Sequence, residues 1–207
     1  MSCLDVSACF ASVSSYFSTM KIRHVGLAVV HCPKTRRVLL ITSRKHPNLW
    51  IMPKGGVEKG ETSGEAAARE AHEEGELTSF RQADNTAGIP AQIPEDDISP
   101  ELCTIESAKP GVEVWHVHAI AIDSEKDLDK DWKERHERKR QWCSHKEALK
   151  LIRQWEGKSY ACDEGIDDET DEDAWKRGGS KKKRAKGQAF EQALFAFVEK
   201  FGYDEKL

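Results

Sequence analysis

Apolar positions in this chain fall into short runs set off by turn-forming and charged residues. VGLAVV (25–30) and RVLLIT (37–42) are β-branched runs joined by His31-Cys32-Pro33-Lys34-Thr35, which predicts a hairpin turning at the proline. Pro47-Asn48 marks a second turn, and Trp50-Ile51-Met52 a short strand that delivers the loop Lys54-Gly55-Gly56. VEVWHVHAIAI (112–122) alternates over a length that suits a central strand. Helical spacing recurs three times. Thr62 with Glu65 forms a capping-box pattern opening a helix over 63–74, and Ala66, Ala67 and Ala71 give it a small-residue face that can lie close against a sheet. Ser144 with Glu147 opens another, with Ala148, Leu151, Ile152 and Trp155 on one stripe. Over 188–201 the stripe is Phe190, Ala193, Leu194, Phe197, Val198 and Phe201, with Gly202 as the stop.

Strands and helices in that order predict one α/β domain over 21–157, with a further helix over 188–207 docking on it. The Ser-rich stretch 1–20 has no Lys or Arg before Lys21, so it fits neither a secretory signal nor a mitochondrial presequence and is expected to be a disordered leader. Residues 81–100 carry prolines and no period, as an inserted loop would. The stretch 158–187 is acidic first (CDEGIDDETDED) and basic after (KRGGSKKKRAKG), with too little apolar area to fold, and is expected to be a mobile linker. Within it Lys181-Lys182-Lys183-Arg184 suits a nuclear import signal, a polyanion-binding arm or a plain solvated tether.

Composition narrows the setting. The formal charge of −4 is too near neutral to name a partner, and no apolar run is long enough to cross a bilayer. Six scattered cysteines without a C-x-x-C pair indicate neither a zinc site nor a disulfide framework, so a reducing compartment, cytoplasmic or nuclear, is expected.

Chemistry concentrates in PKGGVEKGETSGEAAAREAHEEGEL (53–77). Glu70, Glu73 and Glu74 fall on one helix face without an interleaved lysine, so they repel unless a cation sits between them. Carboxylate oxygens alone favour a hard ion, Mg²⁺ or Mn²⁺, which shares its shell with phosphate oxygens; phosphoanhydride chemistry is the first inference. Glycines at 55 and 56 let backbone N–H groups approach a phosphate, and Lys54 adds charge. Arg69 is expected to point off the acidic face and orient the carboxylates or the preceding loop. His116 and His118 share a strand face, where histidines ordinarily hydrogen-bond rather than bind metal. The triplet Arg138-Lys139-Arg140 is either solubilising surface or a phosphate contact.

Gly55, Glu61 after five residues, Arg69-Glu70 after seven more, then Glu73-Glu74, resembles the Nudix box G-x5-E-x7-R-E-U-x-E-E-x-G-U, where U is apolar. The final glycine of that pattern falls on Glu76, while Gly75 stands one place earlier and is expected to stop the helix there in a left-handed conformation. With TSRKHPNLWIMPKGGVEKGE, ERKRQW and EALKLI, the chain looks like the fungal-type diphosphoinositol polyphosphate phosphohydrolase branch of that superfamily. The resemblance implies an α/β/α sandwich around a mixed β-sheet and Mg²⁺-dependent (or Mn²⁺-dependent) cleavage of a phosphoanhydride. It implies metal ligation by Glu70 and Glu74 with Glu61 in support, and Glu73 as the base for the attacking water. Lys54, Gly55 and Gly56 would hold the phosphate chain, with Arg23, Ser43, Arg44, Lys45, Arg138, Lys139 and Arg140 as further polyphosphate contacts. The implied substrates are diphosphoinositol polyphosphates, dinucleoside polyphosphates and inorganic polyphosphate, acted on by a monomer without membrane or nucleic-acid partners. Two other readings stay open: a Nudix hydrolase of nucleotides or capped RNA, and a silent domain that only binds polyphosphates or proteins.

Overall fold

The computed structural model describes residues 22–75, 97–106, 112–125, 134, 136–156 and 181–203. The expected leader, most of the inserted loop and the stretch 157–180 lie outside the described residues. Among the described residues seven strands form one mixed sheet: β1 Arg23–Cys32, β2 Arg37–Thr42, β3 Trp50–Ile51, β4 Lys54–Gly56, β5 Cys103–Glu106, β6 Glu113–Ala121 and β7 Arg140–Cys143. The order is β3-β2-β1-β6-β5, with β4 added on β1 and β7 on β2. β1 and β6 run parallel in register from Arg23↔Glu113 to His31↔Ala121, while β1 meets β2 and β4 antiparallel at its two ends. The expected hairpin is present, and in its turn Arg36 takes the left-handed region at φ 56°. β5 and β7 were not legible in the sequence, because CTIE and RQWC are short and only half apolar.

Helices cover both faces. α1, Ser63–Gly75, lies on one. On the other are α2, His145–Arg153, followed by a 3₁₀ turn at Gln154–Glu156, and α3, Lys181–Phe201. Both predicted capping boxes form: Thr62 with Glu65, and Ser144 with Glu147. α1 sits close to the sheet, as its alanines predict. A Cβ on Gly26 of β1 would stand 2.5 Å from the Ala67 nitrogen, so only glycine admits that approach. The α2/α3 face is built instead from Val25, Leu27, Trp115, Trp155, Phe190, Leu194 and Phe197.

Two boundaries differ from expectation. α3 begins at Lys181, two turns before the expected start at 188, since Lys, Arg and Ala are good helix formers. Gly187 is no breaker here: a Cβ there would lie 2.7 Å from Trp155 Cβ, so glycine lets the helix press against the 3₁₀ turn. The end of the supposed inserted loop is also ordered, since Ile98 bridges Ile120 and Ser99 N–H donates to the Ala119 carbonyl along β6.

Candidate active site

The acidic cluster assembles where β4 leaves β1. Successive β4 residues face opposite sides of the sheet, and their register with β1 puts Gly55 beside Gly26 on the α1 face. There the Glu70 carboxylate occupies the space a Gly55 side chain would need. Gly55 is thus required to admit a carboxylate, a tighter reason than the phosphate approach expected of it. One helical turn on, Glu74 accepts the Lys54 backbone N–H at 3.1 Å. Glu70 and Glu74 therefore meet consecutive residues of β4, both largely covered, while Glu73 between them is 55% exposed.

Two guanidiniums hold this arrangement, and they correct the expectation that only a bound cation could relieve the repulsion. Arg69 does not point away from the acids. It donates to Glu61 at 2.9 and 3.1 Å, to Glu70 at 2.7 Å and to the Gly56 carbonyl at 2.9 Å, and lies 3.7 Å from Glu73. The Glu61 and Glu70 carboxylates hold the Arg69 guanidinium above its ordinary range. Burial pushes Glu61 up, but Arg69 and the Glu58 N–H, 2.9 Å away, bring it below the usual carboxylate value. Arg138 is the second clamp: buried, it contacts Glu74 at 2.5 Å and Glu134 at 2.8 Å and donates to the Thr42 carbonyl. Burial still pushes the Glu74 carboxyl upward against Arg138 and the Lys54 N–H.

The other expected phosphate contacts separate into two groups. Arg138 is engaged as above, Ser43 is buried at the start of a turn, and Arg140 donates to the Gly75 carbonyl at 2.9 Å, tying down the end of α1. Arg44 pairs with Glu134 and Glu137. These four brace the site rather than present free charge to a ligand. Arg23, Lys45 and Lys139 are exposed, and Arg23 reaches over Gly56, its guanidinium 3.5 Å from where a Cβ would stand. Lys54 sends its side chain to the opposite face, its ammonium 4.9 Å from the Trp115 ring centre, where burial lowers its pKa. Gly75, the last described residue of α1, is helical without the left-handed φ expected of it and packs on Leu39; Glu76 lies outside the described residues.

Glu134 was missed by sequence reasoning, although its i,i+4 spacing to Arg138 was a usable signal. His116 is hydrogen-bonded to His24 and Glu101, each at 2.9 Å, and His118 to Ser63 and the Ser99 carbonyl, each at 3.0 Å, as expected of strand histidines. A concave pocket lined by His31, Arg36 and Tyr203 lies at the other end of β1, remote from the carboxylates.

Among the described residues no three His, Cys, Asp or Glu side chains converge into a ready cage for a metal. Mg²⁺ does not require one, since it keeps waters and shares substrate phosphate oxygens, binding proteins through one or two carboxylates. Glu70 and Glu74, all-oxygen donors set against consecutive β4 residues, fit that demand.

A model of the NUDIX domain matches residues 22–162. The chain belongs to the Nudix family. It is 34% identical over 118 residues to Nudix hydrolase 12, mitochondrial, of Arabidopsis thaliana, covering 56% of this chain and 52% of that protein. Similarity to diphosphoinositol polyphosphate phosphohydrolase 3-alpha of Homo sapiens is 28% over 117 residues, 56% of this chain and 59% of that one. The rat phosphohydrolase 2 of the same name (Rattus norvegicus) is 57% identical over 37 residues, 18% of this chain and 21% of that protein. Over the longer alignments the chain spans about half the length of the curated relatives it matches. A solved structure of the E. coli dihydroneopterin triphosphate pyrophosphohydrolase superposes at TM-score 0.43 with 20% identity, over 63% of this chain and 88% of that one.

Proposed function

We propose that the chain is a Mg²⁺-dependent hydrolase of phosphoanhydride bonds in small polyphosphorylated molecules, with diphosphoinositol polyphosphates as the preferred class and dinucleoside polyphosphates and polyphosphate beside them. The observation that carries this reading is the placement of Glu70 and Glu74 on consecutive β4 residues with Glu73 exposed between them. Mg²⁺, which Mn²⁺ can replace, would be held by Glu70 and Glu74 and would offset charge on the phosphate oxygens. Glu61, the supporting ligand in this reading, also pins the loop before α1 through Arg69 and the Glu58 N–H.

The chain's own groups divide the remaining work. Glu73 takes the proton from the attacking water, being exposed and held 3.7 Å from Arg69. Arg69 fixes Glu61, Glu70 and the Gly56 carbonyl in one unit, so the loop and the carboxylates keep their relative position as charge moves. Arg138 does the same for Glu74. Of the expected contacts, Lys45, Lys139 and Arg23, which also lies 3.8 Å from Glu113, are exposed to meet the phosphate chain. The compartment is cytoplasmic or nuclear and the working unit a monomer.

Phosphate release from diphosphoinositol, dinucleoside polyphosphate, polyphosphate and capped RNA substrates tests the reading. Mg²⁺-dependent turnover is expected on the first, falling about 10²–10⁴-fold in Glu73→Gln with an unchanged melting profile. Turnover unaffected by that substitution would move the base elsewhere. Tight binding of every substrate without hydrolysis would make the domain a silent binder.

A further inference from the structure

The layer between α3 and the sheet is filled at one end and open at the other. Near the start of β6, Trp115 and Phe190 close it, their ring centres 5.1 Å apart. Toward the end of that strand the same face carries only Ala119 and Ala121, with Ala196 on the helix, and a cavity of about 1040 Å³ opens there. That is room enough for a small organic molecule. Phe201 and Tyr203 give it an aromatic side.

One polar group is built into this wall. His31 is 3% exposed and lies among the rings of Phe197, Phe201 and Tyr203, whose centres are 4.9, 5.0 and 5.6 Å from its own. The Tyr203 hydroxyl donates to the Cys32 carbonyl at 3.3 Å, and a carbonyl can only accept, so the single phenolic proton is used there. His31 Nδ1–H must then donate to the Tyr203 oxygen, 2.8 Å away. That leaves Nε2 as a lone pair at the pocket, met by no donor among the described residues. Burial lowers the His31 pKa to about 4, so the lone pair persists at neutral pH. Charges at the rim are unevenly committed. Arg36 donates to the Gly202 carbonyl and lies over the Tyr203 ring at 5.2 Å, while Glu101 is hydrogen-bonded to Thr104 and His116. Among the described residues Asp97 and Glu199 are unpaired carboxylates, with the ammonium of Lys200 as the single free cation beside them.

We propose that this pocket binds a flat aromatic amine, its ring N–H donating to His31 Nε2, its face along Phe201 and the alanines, and its cationic tail at Asp97 and Glu199. A buried acceptor without a donor is costly, and two free carboxylates outweigh one ammonium, so the pocket asks for a hydrogen-bond donor and a positive charge. The alanine floor admits a ring between the two, and the aromatic side attracts a cation by its face. The site stands apart from the carboxylate cluster and does not depend on hydrolysis.

Calorimetric titration of the full-length chain with tryptamine, 1-methyltryptamine and indole-3-propionate tests this. The second lacks the ring N–H, and the third carries an anion in place of the amine. Tryptamine is expected to bind, and each of the others about tenfold more weakly. In His31→Phe the advantage of tryptamine over 1-methyltryptamine should vanish, while its advantage over indole-3-propionate remains. Ala196→Phe, at a half-buried position of α3, should fill the cavity and abolish binding without lowering the melting temperature. No tryptamine binding at millimolar concentration, or equal affinities for the three compounds, overturns the site. So does a preference for the ring N–H that survives in His31→Phe, or undiminished binding in Ala196→Phe. Should His31→Phe not fold, the three compounds on the parent and on Ala196→Phe decide the matter.

Discussion

The two faces of the sheet are packed by opposite means. On the α1 side, Gly26, Ala66, Ala67 and Ala71 bring helix and strand close, over a smaller aliphatic cluster that includes Val30, Leu39 and Ile120. On the α2/α3 side, Trp115, Trp155, Phe190 and Phe197 fill a thick layer. Small side chains fix the height of a helix above a sheet tightly, because backbone meets backbone with nothing compressible between. Large ones remove more surface from water. Position comes from one face and stability from the other, and the acidic site sits on the face that gives position.

The sharpest way to break that division is Phe190→Ala. Phe190 is fully buried, so the loss expected in chemical denaturation is about 3–5 kcal/mol; a loss under 1 kcal/mol would mean the aromatic layer is not the main source of stability. Next is His31, on the same face, buried and hydrogen-bonded to Tyr203 at 2.8 Å. Burial lowers its pKa from 6.5 to about 4, so the unfolded chain binds the extra proton between those values. Stability is therefore complete above 6.5 and declines as pH falls toward 4, by about 3 kcal/mol from this one residue. Denaturation midpoints across that range should lose this slope in His31→Gln.

On the opposite face the readout changes from stability to turnover. Gly55→Ala must displace the Glu70 carboxylate, and a shift near 1 Å is expected to lower kcat about 100-fold with an ordinary melting temperature. A loss of folding instead would show that the α1 face also carries stability. Ser144→Ala, which removes the α2 cap on the rim of both layers, sets the lower end of the scale at about 1 kcal/mol.

The elements that pattern and capping control were legible in the sequence: the first hairpin, α1 with its alanine face, α2 and the long strand β6. What escaped depended on pairing between distant segments. Residue spacing put Glu70, Glu73 and Glu74 together but could not reveal that Arg69 turns among them, since a long guanidinium stem reaches past its own helical position to Glu61 and Gly56. Lys54 went to the opposite face because the register of β4 on β1 decides it, and a register one residue different would reverse every side chain. Arg138 read as solubilising surface or a phosphate contact because Glu74 and Glu134 come to it only in the folded chain. The first two turns of α3 read as linker because Trp155, against which Gly187 packs, lies far back in the sequence.

The parallel seam between β1 and β6 bears on how the chain is made. Every residue from Arg23 to His31 waits for a partner far downstream, and α1 is held between those two strands' contributions to the sheet. A nascent chain emerging from the ribosome exposes all the acidic groups early, yet Gly26 has no completed sheet on which to seat the helix until β6 follows. Slow, late closure of this kind is expected of non-local topologies, and it delays a working carboxylate cluster until most of the polypeptide has been synthesised.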